Sequence, residues 1–321
     1  MVGFGSGKVI LCGEHVVVHS EPAIVVSLPL RTRVDVIPFS GTFIVDKRPK
    51  HPNYVPYKQN LYEEMAATIA DAFGVGRLYS FVLSGDLPVT SGGIGASAAA
   101  AVGIARALAA MLKRHLGQRE IMEIALSGER KIHGNPSGID TTAATIEGIL
   151  LFQKEEYVLF HHRIAPAQPA LPMLLVDSQK TTNTKETVAA VGEFKKQNSL
   201  LWQTLMMEYQ AIFAAVIGAI KKRDIEALGK LLDQNQSLLD KLTLSCCHVE
   251  RVRDIARNNG ALGSKNTGSS RGGLVLVLGR DAQHVADMAQ VFTRVGYFVV
   301  DASSSSSSLS TDKNPAADQA S

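Results

Sequence analysis

Along the first 45 residues, apolar positions gather into short β-branched runs at 9–11, 16–18, 24–28 and 34–37, broken by Gly13, Pro22 and Pro29. Runs of this length between turn residues predict strands, and their close succession predicts a mostly antiparallel sheet. A polar, proline-bearing stretch over 47–60 leads into a predicted helix at 61–73 that stops near Gly74, followed by a strand at 79–83. Two helices come next, over 96–116 and 119–133, the second closed by Gly134 with Pro136 just beyond. Strand patterning resumes at 149–152 and 157–160.

The stretch 165–172 holds three prolines and is the best candidate boundary. Beyond it a buried strand is predicted at 173–176, then helices over 185–197, 200–222, 225–236 and 249–258. Strands at 273–278 and 297–300 flank a last helix at 281–294. Helices and strands mix without regular βαβ alternation, which argues for an α+β fold in both halves. The expected division is 1–170, 171–302 and a serine-rich tail from 303 to 321, which lacks the apolar surface needed to offset ordering entropy and is expected to be disordered.

Composition narrows the function classes. With 321 residues, 45% hydrophobic and 20% charged, the chain has material for roughly two globular cores. The net charge of +3 comes with short basic pairs such as Lys195-Lys196, so nucleic acid binding gets little support. Three cysteines, Cys12, Cys246 and Cys247, build neither a disulfide framework nor zinc-ligand spacing, and a reducing compartment fits them best. Residues 9–12 are too short for a signal sequence. The apolar window 94–112 is alanine-rich and carries Ser97 and Arg106, which suits a packed helix better than a membrane span.

The segment PVTSGGIGASAAAAV, from Pro88, lies between a predicted strand and a predicted helix. Gly92, Gly93 and Gly95 free the backbone to curl, and N–H groups at the helix start would point at an anion. Ser97 adds a hydroxyl in the first turn. Taken alone, the run equally suits a helix whose small residues pack tightly. Gly7-Lys8 is not a Walker A loop, because Val9 stands where Ser or Thr is required and Val2 replaces the first glycine; nor does the loop hold a GxGxxG spacing.

Glu129 lies near the end of one predicted helix and Asp140 follows the loop HGNPSGI, so a tight turn could bring two carboxylates into one cleft. Magnesium takes one or two protein ligands besides phosphate and water, and phosphoryl transfer to an alcohol uses an Asp to accept the proton and a Lys to steady the oxygens. Asp140 and Lys8 are the candidates for the last two roles. Considered singly, Asp140 also reads as the N-cap of a helix starting at Thr141, Glu129 as a surface charge and Lys8 as a strand-edge charge. Glu14 and His15 interrupt two apolar runs and either line a cleft or form a buried, satisfied pair at a strand bend. His15 and His19 have no further ligand nearby that would complete a zinc site.

Together with the glycine-rich loop, GKVILCGEHVVVHSEPA at 7–23 and GERKIHGNPSGID at 128–140 resemble the GHMP kinase superfamily. It is named for galactokinase, homoserine kinase, mevalonate kinase and phosphomevalonate kinase, and the second segment is closest to the form of its mevalonate-phosphorylating branch. The resemblance spans most of 5–302. It implies a two-domain fold, the N-terminal domain like domain 2 of ribosomal protein S5 and the C-terminal domain ferredoxin-like, with ATP and Mg2+ in the cleft. By position, Asp140 becomes the catalytic base and Lys8 the residue that orients the acceptor hydroxyl. Lys8, Gly92, Gly93, Ile94, Gly95, Ala96 and Ser97 would hold ATP; Ser97 and Glu129 the metal; Glu14, His15 and Thr184 the small-molecule acceptor. A nucleic acid or membrane partner is not expected, a homodimer is compatible, and a cytoplasmic location is expected ahead of a peroxisome-like organelle.

The sequence departs from the family pattern twice. The phosphate loop is one residue longer than usual and has Ala96 in place of the first serine; the third motif reads KNTGSSRGGLV from Lys265, with Arg271 expected to face solvent. The competing readings are a sibling kinase with another alcohol acceptor and a catalytically silent sensor on the same fold.

Overall fold

The computed structural model describes residues 1–39, 41–51, 59–90, 92–154, 159–165, 171–181, 184–268 and 270–303. The expected disordered tail, apart from Ser303, lies outside them. Two sheets organise the chain. The first takes β1 (Val2–Cys12), β2 (Ala23–Pro38), β3 (Ile44–Asp46), β4 (Tyr79–Gly85), β5 (Ile149–Lys154) and β6 (Leu159–Ala165), with α1 (Gln59–Ala72), α2 (Ala96–Met111), α3 (Gln118–His133) and α4 (Ile139–Thr145) between them. The second begins with β7 (Met173–Asp177), runs through α5 (Thr184–Gln197), α6 (Ser199–Lys222), α7 (Ile225–Lys241) and α8 (Cys247–Asn258), and ends with β8 (Gly263–Thr267), β9 (Leu274–Leu278), α9 (Ala282–Arg294) and β10 (Val299–Asp301).

Strand β2 is the spine of the first sheet, pairing antiparallel with β1 along most of its length, with β5 near its start and with β4 near its end. The short edge strand β3 is parallel to β4. The break expected at Pro29 is absent, and the two predicted strands form one. Ser6 pairs with Arg31 and Lys8 with Ser27, so the register irregularity falls around Pro29, which has no N–H to give the ladder. The strand expected at 16–18 is instead a 3-10 turn, Val17–His19. Gly13 at φ 110° and His15 at φ 64° reverse the chain there, and the amide of Val17 bonds the carbonyl of Gly13 at 3.1 Å. A β-branched triplet carries no sign of that reversal.

The second sheet has the order β10-β7-β9-β8, all antiparallel, with helices between β7 and β8 and between β9 and β10. That is the βαββαβ pattern of a ferredoxin-like domain, and the α+β expectation holds. Strand β8, GSKNT, was not foreseen: it is polar, yet fully buried. It survives burial because helix α7 supplies partners, the Gln236 side-chain oxygen accepting from the Asn266 backbone amide at 2.7 Å and the Asp233 carboxylate from the Ser264 backbone amide at 3.0 Å.

Packing fixes where the site can be. Helices α1 and α2 cover one face of the first sheet through Met65, Ile69, Ala98, Ala101, Ile104 and Leu108, and α3 packs against both helices through Ile121 and Ala125. Helix α2 lies so close to β1 that a Cβ on Gly5 would stand 2.1 Å from the Ala99 carbonyl oxygen, and one on Gly3 2.1 Å from that of Gly103. A second core joins Val9 and Leu11 of β1 to Leu274 and Leu276 of β9 and to Trp202, Tyr209 and Val216 of α6. The two sheets thus share apolar contacts at the base of β1.

Candidate active site

Strand β1 delivers Lys8 to the mouth of α2. The Lys8 amide donates to the Ile94 carbonyl at 2.9 Å, tying strand to loop. Gly95 caps α2 at φ 73° with no side-chain hydrogen bond, and a Cβ there would meet Lys8 Cγ at 2.9 Å. Glycine is required at this point both for its left-handed backbone and for the closeness of the lysine stem. The first-turn amides of α2 therefore have no side-chain cap, and the positive end of the helix faces the loop. Arg48 braces the same turn from behind: buried, it donates to the Ala96 carbonyl at 2.8 Å and pairs with Asp46 at 2.7 Å. Burial opposes its charge, but Asp46 and Tyr62 more than offset this and hold the guanidinium above its ordinary value.

The candidate carboxylates converge on this mouth. Lys8 Nζ lies 2.9 Å from Asp140 Oδ1, the lysine side chain 4% and the aspartate 35% exposed. Asp140 is not an N-cap: Gly138, at φ 89°, takes that place and puts Asp140 in the first turn of α4. Glu129, on the inner side of α3 and 1% exposed, accepts from Ser97 Oγ at 3.3 Å, so it is not a surface charge. His133, one helical turn on, completes the cluster, its Nε2 3.2 Å from Ser97 Oγ and 3.7 Å from Glu129 Oε2. The i, i+4 spacing of Glu129 and His133 was the available signal for this histidine.

Other predicted residues fall elsewhere. Glu14 does not line an open cleft; its carboxylate is fully buried against the ammonium of Lys265, from the third motif. Burial raises its proton affinity, and the attraction of Lys265 offsets part of that rise. The buried alternative therefore describes Glu14, with Oε1 paired to Lys265 and Oε2 buried without a hydrogen-bond partner among the described residues. His15 follows it, buried at positive φ. Thr184 opens α5, and its side chain lies outside the described ones. Arg271 does not face solvent freely, since its guanidinium donates to the Thr243 carbonyl at 2.8 Å and hydroxyl at 3.0 Å.

The third motif touches both earlier ones. Thr267 Oγ1 accepts from the Ile10 amide at 3.1 Å and donates to the Ile10 carbonyl at 3.3 Å. Gly268, at φ 90°, sits so close to the phosphate loop that a Cβ would meet Gly93 Cα at 2.8 Å. Gly92, Gly93, Ile94, Gly95, Ala96 and Ser97 thus form a bend held by Lys8 on one side and β8 on the other; Ser91, at its start, is outside the described residues.

The profile of the GHMP kinases N terminal domain matches residues 60–148 and that of the GHMP kinases C terminal domain residues 216–297. The chain is 29% identical over 288 residues to a mevalonate kinase of Aeropyrum pernix, covering 86% of this chain and 88% of that one. It is 30% identical to L. major mevalonate kinase, solved in complex with R-mevalonate, with a TM-score of 0.87 over 95% of this chain and 97% of that one. A Lactococcus lactis galactokinase, at 14% identity and a TM-score of 0.68, shares the fold alone. With both family domains in order and a near-complete structural match, the chain belongs to the GHMP kinase family of small-molecule kinases.

Proposed function

We propose that this chain is a mevalonate kinase, which transfers the γ-phosphate of ATP to the C5 hydroxyl of (R)-mevalonate and releases ADP and 5-phosphomevalonate. The observation that carries the reading is the Lys8–Asp140 pair, 2.9 Å apart beside the uncapped mouth of α2. The similarity to mevalonate kinases over most of the chain supports the choice of acceptor.

The residues divide the work. Asp140, the more exposed member of the pair, takes the proton of the acceptor hydroxyl. Lys8 steadies the negative charge that develops on that oxygen and on the phosphoryl group. The α2 amides and the glycine bend cradle the phosphates, so that attacking and leaving oxygens can be brought in line. Ser97 Oγ and the Glu129 carboxylate, 3.3 Å apart, suit a hard cation that takes oxygen ligands. They would hold Mg2+, which neutralises phosphate charge.

The test is ADP release by the purified chain with Mg2+, ATP and a panel of mevalonate, phosphomevalonate, galactose and homoserine. Turnover with mevalonate well above the rest is expected. Preference for another alcohol would make the chain a sibling kinase, and nucleotide binding without turnover on any of them would make it a sensor.

A further inference from the structure

We propose that Lys265 is a positioning residue for phosphoryl transfer: through its buried pair with Glu14 it fixes strand β1, and with it the Lys8 ammonium, against the phosphate loop. This rests on the kinase reading above and adds to it a residue that touches neither substrate nor metal.

Within β8, Lys265 and Thr267 are two residues apart and so share a side of the strand, the one that meets β1. Lys265 grips Glu14 in the turn beyond β1, while Thr267 clasps both backbone groups of Ile10. Next in line, Gly268 abuts Gly93 of the phosphate loop backbone to backbone. Asn266, pointing the other way, is anchored through its amide to Gln236 of α7. One short segment of the C-terminal half, 265–268, therefore holds β1 at Ile10, the turn just beyond it at Glu14, and the phosphate loop at Gly93. The segment thus touches both sides of the contact between Lys8 and the loop, where the Lys8 amide meets the Ile94 carbonyl.

The choice of an ion pair is informative. Lys265 and Glu14 are both fully buried, and a buried ion pair generally adds little net stability over a well-packed apolar pair, because desolvation cancels most of the attraction. It does enforce one geometry, since each charge tolerates burial only where its partner stands. The charge of Lys8 also reaches Glu14, so the signs alternate from Lys265 through Glu14 and Lys8 to Asp140. The pair is thus placed to set a position beside the reacting atoms.

The experiment separates position from stability. Wild type, Lys265→Met, Lys265→Arg and the double variant Glu14→Gln/Lys265→Met are compared by thermal midpoint, by steady-state kinetics with ATP and mevalonate, and by hydrogen exchange at the amides of Lys8 and Ile10. Lys265→Met, which leaves Glu14 unpaired, should melt early, and the double variant should regain the midpoint. In the double variant the two amides should nonetheless exchange about tenfold faster and kcat should fall about tenfold or more, with KM for ATP within about threefold of wild type. Lys265→Arg should recover part of kcat. A double variant with wild-type midpoint, exchange and kcat would overturn the proposal and leave the pair a structural contact. If neither neutral variant folds, Lys265→Arg decides alone: faster exchange with lower kcat supports the role, and wild-type values of both overturn it. Failure of the wild type to phosphorylate mevalonate would refute the proposed function, while the exchange rates would still decide this inference.

Discussion

Lys8 and Asp140 meet at 2.9 Å with opposite exposures, the ammonium enclosed and the carboxylate open to the cleft. The side chain proposed to take a proton from an incoming hydroxyl is the accessible one, and the one proposed to steady charge is the sheltered one. Asp140→Asn keeps size and polarity but cannot take the proton, so kcat should drop by roughly 10²- to 10⁴-fold. Binding of a fluorescent ATP analogue should persist. Near-normal turnover by a folded Asp140→Asn enzyme would remove the aspartate from the role assigned to it.

The Ser97–Glu129–His133 cluster makes a separate prediction about metal dependence. Removing the hydroxyl in Ser97→Ala should raise the Mg2+ concentration that half-saturates turnover. His133→Ala, which loosens both neighbours without supplying a ligand itself, should raise it by about 10- to 100-fold, the range seen when groups that orient metal ligands are lost. Magnesium titrations that coincide with wild type for both variants would place the metal elsewhere.

Gly268 and Gly260 form a matched pair of probes. Both have positive φ, 90° and 78°, but a Cβ on Gly268 would stand 2.8 Å from Gly93 Cα, whereas at Gly260 the nearest atom is 3.8 Å away. Alanine at either position should cost about 1–2 kcal/mol of backbone strain. Only Gly268→Ala should also raise KM for ATP, because the atom it meets is backbone and cannot rotate aside. Equal KM values in the two variants would show that the β8–loop contact does not govern nucleotide binding.

Cys12 supplies a pH prediction. Burial, helped by the charge of Glu14, pushes its thiol from 9.0 to about 12. Between those values the unfolded chain has released the proton and the folded chain still holds it, so stability falls as pH rises. The contribution is intact below about pH 9 and lost by about pH 12. Denaturation midpoints for wild type should therefore decline more steeply over that window than those of Cys12→Ala. At pH 8, iodoacetamide should label exposed Cys247 and spare Cys12, as read by mass spectrometry. Parallel alkaline profiles would contradict the buried thiol.

Much of this site was legible in the sequence because its chemistry lies in contiguous motifs. Singly, Lys8, Glu129 and Asp140 each have a bland alternative; taken jointly with Ser97 and the family motifs they stand out, and the structure brings all four to the mouth of α2. What escaped was tertiary in origin. Strand β8 was hidden because its polar residues have partners only once α7 is in place, and no local pattern announces Gln236. Arg48 looked like one more charge in a polar stretch, although it braces the start of α2. Glu14 was read as facing a cleft because its partner lies 251 positions away. The reversal at Gly13 to His15 left no trace in the valines that follow it.

The closeness of α2 to β1 has a bearing on how the catalytic spacing can vary. At Gly3 and Gly5 no side chain separates the helix from the strand, so there is no rotamer to relax and no soft layer to absorb an added atom. A methyl group at Gly5 would have to lift a helix that moves as a stiff rod, and the displacement would emerge at its other working part, the turn that holds Ser97. The gap between lysine and phosphate loop is thus set in part by missing atoms, on the strand that carries Lys8 and within a turn of Ser97. Substitutions there would detune the enzyme while leaving every chemically active side chain in the chain.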